Sequence, residues 1–204
     1  MKRLRFSAVA ATVVAVAGIT TAILVGVRRT EAAAVGLSQA DLDVIVAQAV
    51  AGANATPSGF RVTPSAHPTR MQIAIVARDG KLLRLFSMSD AWVGSIDIAI
   101  AKGRTATFFS SDQNALTSRV IGNVSQPGGP LWGIGNSNQL GISGSQEFRN
   151  GIITFPGGVP LYKDGVLVGG IGVSGDGVDQ DEDVAFAGAA GFAPGAGVSK
   201  LGFP

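Results

Sequence analysis

Residues 155–175 read FPGGVPLYKDGVLVGGIGVSG and carry the clearest structural pattern of the chain. Two apolar runs, 159–163 and 166–174, lie on either side of the dipeptide Asp164-Gly165. An Asp-Gly pair between two such runs is typical of a tight β-hairpin, because both central residues of its turn need a positive φ. The stretch therefore predicts two antiparallel strands.

A second hairpin is predicted upstream of the first. The apolar runs 71–77 and 81–86 are joined by a segment that contains Asp79-Gly80. This is the same turn chemistry, so the same connection is expected. A further short strand is predicted at 151–155. These segments together indicate an antiparallel sheet of about five strands.

Three helices are expected around the sheet. The first begins after Ser38, a good N-cap residue, and repeats apolar residues at helical spacing from Leu42 to Ala49. The second covers 95 to about 109 and has a narrow face of small residues. The third covers 180 to about 190. Hairpins separated by helices are typical of an α+β domain and not of a parallel βαβ array.

Two long connections complete the expected fold. Residues 56–70 contain three prolines, and residues 110–147 are polar and rich in glycine, so both segments are predicted to be loops. The longer loop is a candidate docking surface, because connections of that length are usually functional. We expect a single domain over 35–193 and a C-terminal tail over 194–204.

The N-terminal segment, residues 1–34, is predicted to be a membrane anchor helix or a signal sequence. Residues 6–27 carry no charge, and 22 residues at ~1.5 Å each reach ~33 Å, enough to cross a bilayer core. Basic residues precede this run, and the small residues 32–34 would suit a cleavage site. The length of the run favours an anchor. Either alternative places the body on the periplasmic side of a bacterial inner membrane, or outside the cell if the segment is cleaved.

Charge and composition exclude several classes of protein. Residues 1–34 hold five of the 16 basic residues and one of the 14 acidic ones, which leaves 11 basic and 13 acidic residues in the body. A basic surface for nucleic acid is therefore not expected. The chain has no cysteine, so thiolate metal sites, thiol nucleophiles and disulfides are excluded.

Two motifs invite a chemical interpretation. Residues 170–175 match G-x-G-x-x-G, but the strand before them closes a hairpin, so close backbone packing explains these glycines better than a dinucleotide does. The acidic residues Asp179, Asp181 and Glu182 could bind a hard cation through their oxygens. They also suit the first turn of a helix, where the spacing of Asp179 and Glu182 resembles a capping box.

His67 is the one histidine of the chain, and it lies in the 56–70 loop. A Ser-His-Asp hydrolase site or a zinc site with several histidines needs partners that the chain lacks. One histidine can still be a haem ligand, and Met71, Met88 and Tyr162 are further axial candidates. His67 is thus either a haem ligand or a solvated loop residue.

The segment 155–175, followed by DEDVA at 181–185, resembles the signature of the GlcG/HbpS family. Residues 74–76 and 101–106 are similar to that family's first hairpin and central helix, and the similarity covers 37–192. The resemblance implies an α+β domain, homo-oligomers and haem binding; one member is an extracytoplasmic haem sensor. The family's haem ligands vary, and none of them maps onto His67, because the 56–70 loop is longer here.

Three hypotheses about function follow. The first is a membrane-associated, extracytoplasmic protein that binds haem or another tetrapyrrole and buffers or senses it. Lys102, Ser110 and Ser111, in or just after the central helix, are the expected cavity wall, and His67 is the candidate iron ligand. The second is a non-catalytic accessory subunit of a membrane complex. An enzyme, such as a haem-degrading or glycolate-pathway accessory activity, is the third.

Overall fold

The computed structural model describes residues 36–63, 65–134 and 151–204. The predicted membrane segment lies outside these residues. Within them, no helix is long and apolar enough to cross a bilayer. The described helices are α1 Gln39–Ala55, α2 Ile96–Phe108, α3 Ser118–Val124 and α4 Val178–Gly188. The strands are β1 Gln72–Ala77, β2 Leu82–Ser87, β3 Asn114–Leu116, β4 Gly158–Lys163, β5 Val166–Ser174 and β6 Ser199–Leu201.

Both predicted hairpins are confirmed, and they share one sheet. Strands β1 and β2 pair antiparallel, as do β4 and β5, and β1 also pairs with β5. The resulting order is β2-β1-β5-β4. Asp164 and Gly165 have φ values of 53° and 78°, as the turn between β4 and β5 requires. The domain is therefore α+β with an antiparallel sheet, and this main sheet has four strands.

The predicted strand at 151–155 is wrong. Residues 151–154 have no regular structure, and their backbone bonds to helix side chains. The Ile153 amide donates to Thr105 Oγ1 at 3.0 Å, and the Thr105 hydroxyl donates to the Ile153 carbonyl at 2.6 Å. The Phe155 carbonyl accepts from Ser118 Oγ at 2.6 Å. Because these groups are satisfied by α2 and α3, they do not form the fifth strand.

Helices cover both faces of the main sheet. The face that packs against α1 and α4 carries the branched side chains Ile73, Ile75 and Ile171, which form the main core with the apolar face of α1. That face of α1 includes Leu42, Ile45, Val46 and Ala49, as predicted. Ser38 and Asp41 close a capping box at its start.

The opposite face packs against α2 through small residues. A Cβ added at Gly172 would lie 2.5 Å from the Gly103 amide nitrogen and would also strike the Ala99 carbonyl oxygen. This close approach of β5 and α2 explains Gly170 and Gly172 of the G-x-G-x-x-G match, whereas a Cβ at Gly175 would strike the Arg70 carbonyl oxygen. Residues 170–173 of β5 therefore alternate between glycines toward α2 and branched residues in the main core.

The predicted loop 110–147 holds two elements within its described part. Thr117 caps α3 through its side chain, and β3 pairs in parallel with β6 at the C-terminus. The segment 194–204 therefore returns to the domain, where Phe203 packs edge-to-face on Phe186 with ring centroids 5.5 Å apart. Residues 135–147 lie outside the described part.

Candidate functional site

An open cavity of about 550 Å³ lies at the end of β5, between the first turns of α2 and α4. Its lining includes Phe60, Trp92 and Phe155, whose exposed fractions are 72%, 62% and 56%. We call it the aromatic cavity. Its volume falls in the range typical of sites for small organic ligands. The exposed aromatic rings give it apolar surface that a flat ligand can cover.

The floor of the aromatic cavity holds a buried ion pair. Lys102 Nζ on α2 lies 2.6 Å from Asp181 Oδ2 on α4, and the two side chains are 1% and 2% exposed. Lys102 also donates to the Val173 carbonyl at 3.0 Å. Burial lowers the pKa of Lys102 and raises the pKa of Asp181, and each charge opposes the shift of the other. The floor is thus polar and charge-balanced.

Asp176 connects this floor to the 56–70 loop. Its carboxylate is fully buried and accepts hydrogen bonds from the Ser58 hydroxyl, from the Gly59 amide at 2.7 Å and from the Gly177 amide at 3.0 Å. Its own amide donates to Asp181 Oδ1 at 3.1 Å. Asp176 therefore holds the loop that carries Phe60 against the start of α4.

Arg61 supplies a cation to the wall of the aromatic cavity. Its Nη1 lies 3.4 Å from Asp176 Oδ2, and its Nη2 donates to the Asp90 carbonyl oxygen at 2.7 Å. The Arg61 side chain is 23% exposed. Part of the guanidinium can therefore reach a ligand while the rest remains anchored.

A second cavity of about 380 Å³ adjoins the first and shares Phe60 and Arg61 with it. We call it the arginine cavity, because Arg61 and Arg70 both line it, together with His67 and Asp90. This lining is more polar than that of the aromatic cavity. The two cavities together offer an apolar compartment beside a cationic one.

The structure separates the residues that were predicted for a cofactor site. Lys102 lines the aromatic cavity, and His67 lines the arginine cavity. Ser110 and Ser111 do not line the aromatic cavity, because they follow the opposite end of α2. Ser110 Oγ exchanges hydrogen bonds with the Leu116 backbone, and Ser111 Oγ accepts from the Asn114 amide at 3.1 Å. Both serines shape the turn before β3.

The three carboxylates that were considered for a metal do not converge. Asp179 and Glu182 both accept from Arg119, whereas Asp181 pairs with Lys102. No group of three or more metal-ligating side chains is assembled in the described part of the chain. Burial raises the pKa of Glu182, and Arg119 opposes that shift. These carboxylates therefore serve as ion-pair partners.

The predicted capping box of the last helix is wrong. Gly177 occupies the N-cap of α4, and no side chain caps it. The helix begins at Val178, two residues earlier than predicted. Because Arg119 holds both Asp179 and Glu182, neither acts as the reciprocal cap that their spacing indicated.

The other axial candidates lie in the protein core. Met71 is fully buried and Met88 is 9% exposed, and both pack within the main apolar cluster. The Tyr162 hydroxyl donates to the Ser111 carbonyl at 2.7 Å. Burial raises the pKa of Tyr162 to about 12. None of the three lines the aromatic cavity.

Sequence reasoning missed Phe60, Arg61 and Phe155 as site residues. Phe60 and Arg61 lie in a proline-rich loop, and Phe155 lies in a segment taken for a strand, so no periodic pattern marks them. The signal that could have indicated Phe60 is an aromatic residue in an otherwise polar loop. Trp92, an exposed aromatic residue, also lines the cavity.

The fold and the cavities define a small α+β domain with an aromatic-rimmed cavity at one end of a helix-covered antiparallel sheet. Residues 37–190 match the HbpS-like family, described as haem-degrading protein HbpS-like. The chain belongs to this family, as the resemblance in its sequence indicated.

Three similar proteins illustrate the relationship. The corrinoid adenosyltransferase PduO of Citrobacter freundii is 34% identical over 113 residues, which are 55% of this chain and 29% of PduO. The chain thus matches less than a third of that relative's length. A crystal structure of a PduOC:heme complex is 28% identical with a TM-score of 0.60, and the match covers 79% of this chain and 98% of PduOC. A double mutant of HbpS from Streptomyces reticuli shares the fold at 21% identity and a TM-score of 0.55, over 91% of this chain and 99% of HbpS.

Proposed function

We propose that this domain binds haem or a related tetrapyrrole in the aromatic cavity. The observation that carries the proposal is the open cavity of about 550 Å³ with exposed Phe60, Trp92 and Phe155 on its lining. A flat macrocycle would bury these rings, and stacking on aromatic side chains favours such ligands. The similarity to a protein crystallised with haem supports the same ligand class.

The described residues of the aromatic cavity suit the ring and the acid groups of a haem but supply no ligand for its iron. The aromatic rings suit the macrocycle, and the partly exposed Arg61 suits an acid group at its edge. The iron has no matching donor, since the described residues that line the aromatic cavity include no histidine, methionine, tyrosine or cysteine. Lys102 lines the cavity, but its ammonium group donates to Asp181 and Val173. We therefore propose that the domain binds a tetrapyrrole, and we assign no reaction at the iron of that ligand to the cavity residues.

We further propose that the protein buffers or senses its ligand on the extracytoplasmic side of a bacterial inner membrane. The uncharged run 6–27, with Lys2, Arg3 and Arg5 before it, supports this location. Extraction of membranes with alkaline carbonate distinguishes an integral protein from a peripheral one. N-terminal sequencing of the mature protein distinguishes an anchor from a signal cleaved near Ala34.

Haemin titration of the full chain in a mild detergent tests the binding proposal. We expect a stoichiometric change of the Soret band above the blank of empty micelles. Trp92→Ala should weaken binding by at least about fivefold, because a stacked ring is lost from the cavity. Trp132→Ala is the matched control, since Trp132 is also exposed but does not line the aromatic cavity. Equal affinities of both variants and the wild type would contradict the proposal.

A second candidate function is that of an accessory subunit in a membrane complex. It is favoured by the large apolar residues exposed around the cavity, which include Val93 at 74% and Val178 at 44%. Such a patch often marks a protein interface. This function would be favoured if the protein does not bind haemin and co-purifies with other subunits from its native membranes. Light scattering of the purified chain would show whether the partner is instead a second copy.

A further inference from the structure

We infer that the ligand of the aromatic cavity is recognised through its ring face and its acid groups, independently of any central metal, and that the arginine cavity receives the acid groups. This inference rests on the proposed function. It assigns the recognition of the ligand's carboxylates to Arg61 and Arg70, and it gives His67 a place beside those carboxylates and not on an iron.

The aromatic cavity and the arginine cavity lie side by side. They share Phe60 and Arg61, so a ligand whose ring lies against Phe60 can extend an acid group past Arg61 into the arginine cavity. An amphiphilic planar ligand needs an apolar compartment beside a cationic one. The 56–70 loop supplies the shared wall and most of the second cavity, so one segment of chain creates this combination.

Arg70 lines the arginine cavity with a charge that hydrogen-bonds to neutral groups. Its Nη1 donates to Asn54 Oδ1 at 3.0 Å and to the Thr69 carbonyl at 3.2 Å, and both acceptors are neutral. No carboxylate of the described residues lies within 4.0 Å of Arg70 as an ion pair. A planar guanidinium binds a carboxylate through two parallel hydrogen bonds. Arg70 therefore has a charge that an acid group of the ligand can neutralise.

Asp176 and Asp90, the carboxylates beside Arg61, do not prevent an acid group of the ligand from binding in the arginine cavity. Asp176 is fully buried and already accepts from two backbone amides and from Ser58. Asp90 lines the arginine cavity, but its side chain is 84% exposed and lies 3.6 Å from Arg61 Nε. An exposed ion pair of this length contributes little, so an incoming acid can replace Asp90 beside Arg61.

The described lining of the aromatic cavity supplies no iron donor. Lys102 there is held as an ammonium ion by Asp181 and the Val173 carbonyl, so it offers no lone pair. His67 lies across the shared wall, in the arginine cavity. Ring faces and acid groups are what remains for recognition of the ligand.

The test compares three probes on the full chain in the same detergent: haemin, metal-free protoporphyrin IX and the dimethyl ester of protoporphyrin IX. We expect haemin and metal-free protoporphyrin to bind with dissociation constants within about threefold of each other. The dimethyl ester should bind about tenfold more weakly, because it lacks the charges that Arg61 and Arg70 recognise. Soret absorbance follows haemin, and porphyrin fluorescence follows the other two probes.

Single-residue variants test which side chain recognises the acid groups and whether His67 contacts the iron. Arg70→Gln should weaken both diacids by about tenfold and leave the diester unchanged, since one charged hydrogen-bond partner is lost. Arg84→Gln is the matched control, because Arg84 lies on β2 and bonds to Asp43 and Gln39 away from both cavities. His67→Ala should retain the position of the Soret band. Circular dichroism of each variant confirms its fold.

Three results would overturn the inference while leaving the proposed function intact. The first is haemin binding more than about tenfold tighter than the metal-free ring. The second is a shifted Soret band in His67→Ala, which would make His67 an iron ligand. The third is an equal loss of affinity for diacid and diester in Arg70→Gln. If none of the three probes binds, the proposed function fails as well.

Discussion

The ammonium group of Lys102 lies 2.6 Å from the carboxylate of Asp181, and this ion pair joins α2 to α4 beneath the aromatic cavity. Both side chains are almost completely buried. The removal of two charges from water costs several kcal/mol for each ion, and their attraction offsets much of this cost. We interpret the pair as a device that positions the two helices around the cavity.

Removal of one member of this pair should destabilise the domain strongly. Lys102→Met leaves the Asp181 carboxylate buried without its cation, and Asp181→Asn leaves the Lys102 ammonium without its anion. Each change should lower the free energy of unfolding by about 3–5 kcal/mol. The double variant should lose clearly less than the sum of the two. Urea unfolding of all four proteins measures this, and simple additivity would show that the groups do not interact.

A side chain at Gly170 should disrupt the contact between β5 and α2. A Cβ there would lie 2.5 Å from Thr107 Oγ1 and 2.7 Å from the Gly103 carbonyl oxygen. Gly170→Val should therefore cost about 3 kcal/mol or more of stability through overpacking. Gly195→Val is the matched control, because no atom lies within 4 Å of a Cβ at that position. Thermal melts that do not differ between the two variants would refute the prediction.

Asp41 should make stability depend on pH in the acid range. Hydrogen bonds from Lys163 and Ser38 lower the pKa of Asp41 from 3.8 to about 2. Because the folded-state pKa is the lower one, the carboxylate stabilises the fold above about pH 4, and this contribution is lost as the pH falls toward about 2.

Two variants test the role of Asp41. Asp41→Asn should be less stable than the wild type at pH 6, and the difference should shrink as the pH approaches 2. Lys163→Met removes the main partner of Asp41, so it should reduce the same pH dependence. Urea unfolding curves at several pH values give both differences. A difference between Asp41→Asn and the wild type that stays constant from pH 6 to pH 2 would contradict the assignment.

Asp176 should act as a positioning residue for the 56–70 loop, which carries Phe60 and Arg61. Asp176→Asn weakens the acceptor for Ser58 and Gly59 and removes the anion that faces Arg61. We expect a stability loss of about 1–3 kcal/mol, faster proteolysis within 58–63 and weaker haemin binding. Asp179→Asn, at an exposed ion pair in the first turn of α4, should change none of these by much. Unaltered proteolysis in Asp176→Asn would remove Asp176 from this role.

Short-range patterns predicted much of the fold correctly. The Asp-Gly turns at 79–80 and 164–165 located both hairpins, and Ser38 located the start of α1. These predictions are correct because the conformation of turns and helix caps depends on neighbouring residues. The strand at 151–155 failed for the opposite reason, since partners on α2 and α3 took its backbone groups.

The site was much less predictable. Lys102, Ser110 and Ser111 are all expected at a cavity wall because they lie in or just after the central helix. Lys102 lines the aromatic cavity, whereas the two serines lie beyond the opposite end of that helix. A sequence neighbourhood does not specify which end of a helix faces a cavity. The sequence does not distinguish Asp176 from the acidic residues that follow it, although the Asp176 side chain is buried and that of Asp179 is exposed.

The sequence alone was sufficient to determine the two hairpins, the long helices α1 and α2, and the α+β class. Turn residues, caps and apolar periodicity predict these features because they depend on contacts a few residues apart. The tertiary structure alone decided that β1 pairs with β5, that β6 returns to β3, and that Phe60, Trp92, Phe155 and Lys102 line one cavity. These contacts join residues that are distant in sequence. Their free energies depend on packing and burial, which no local pattern specifies.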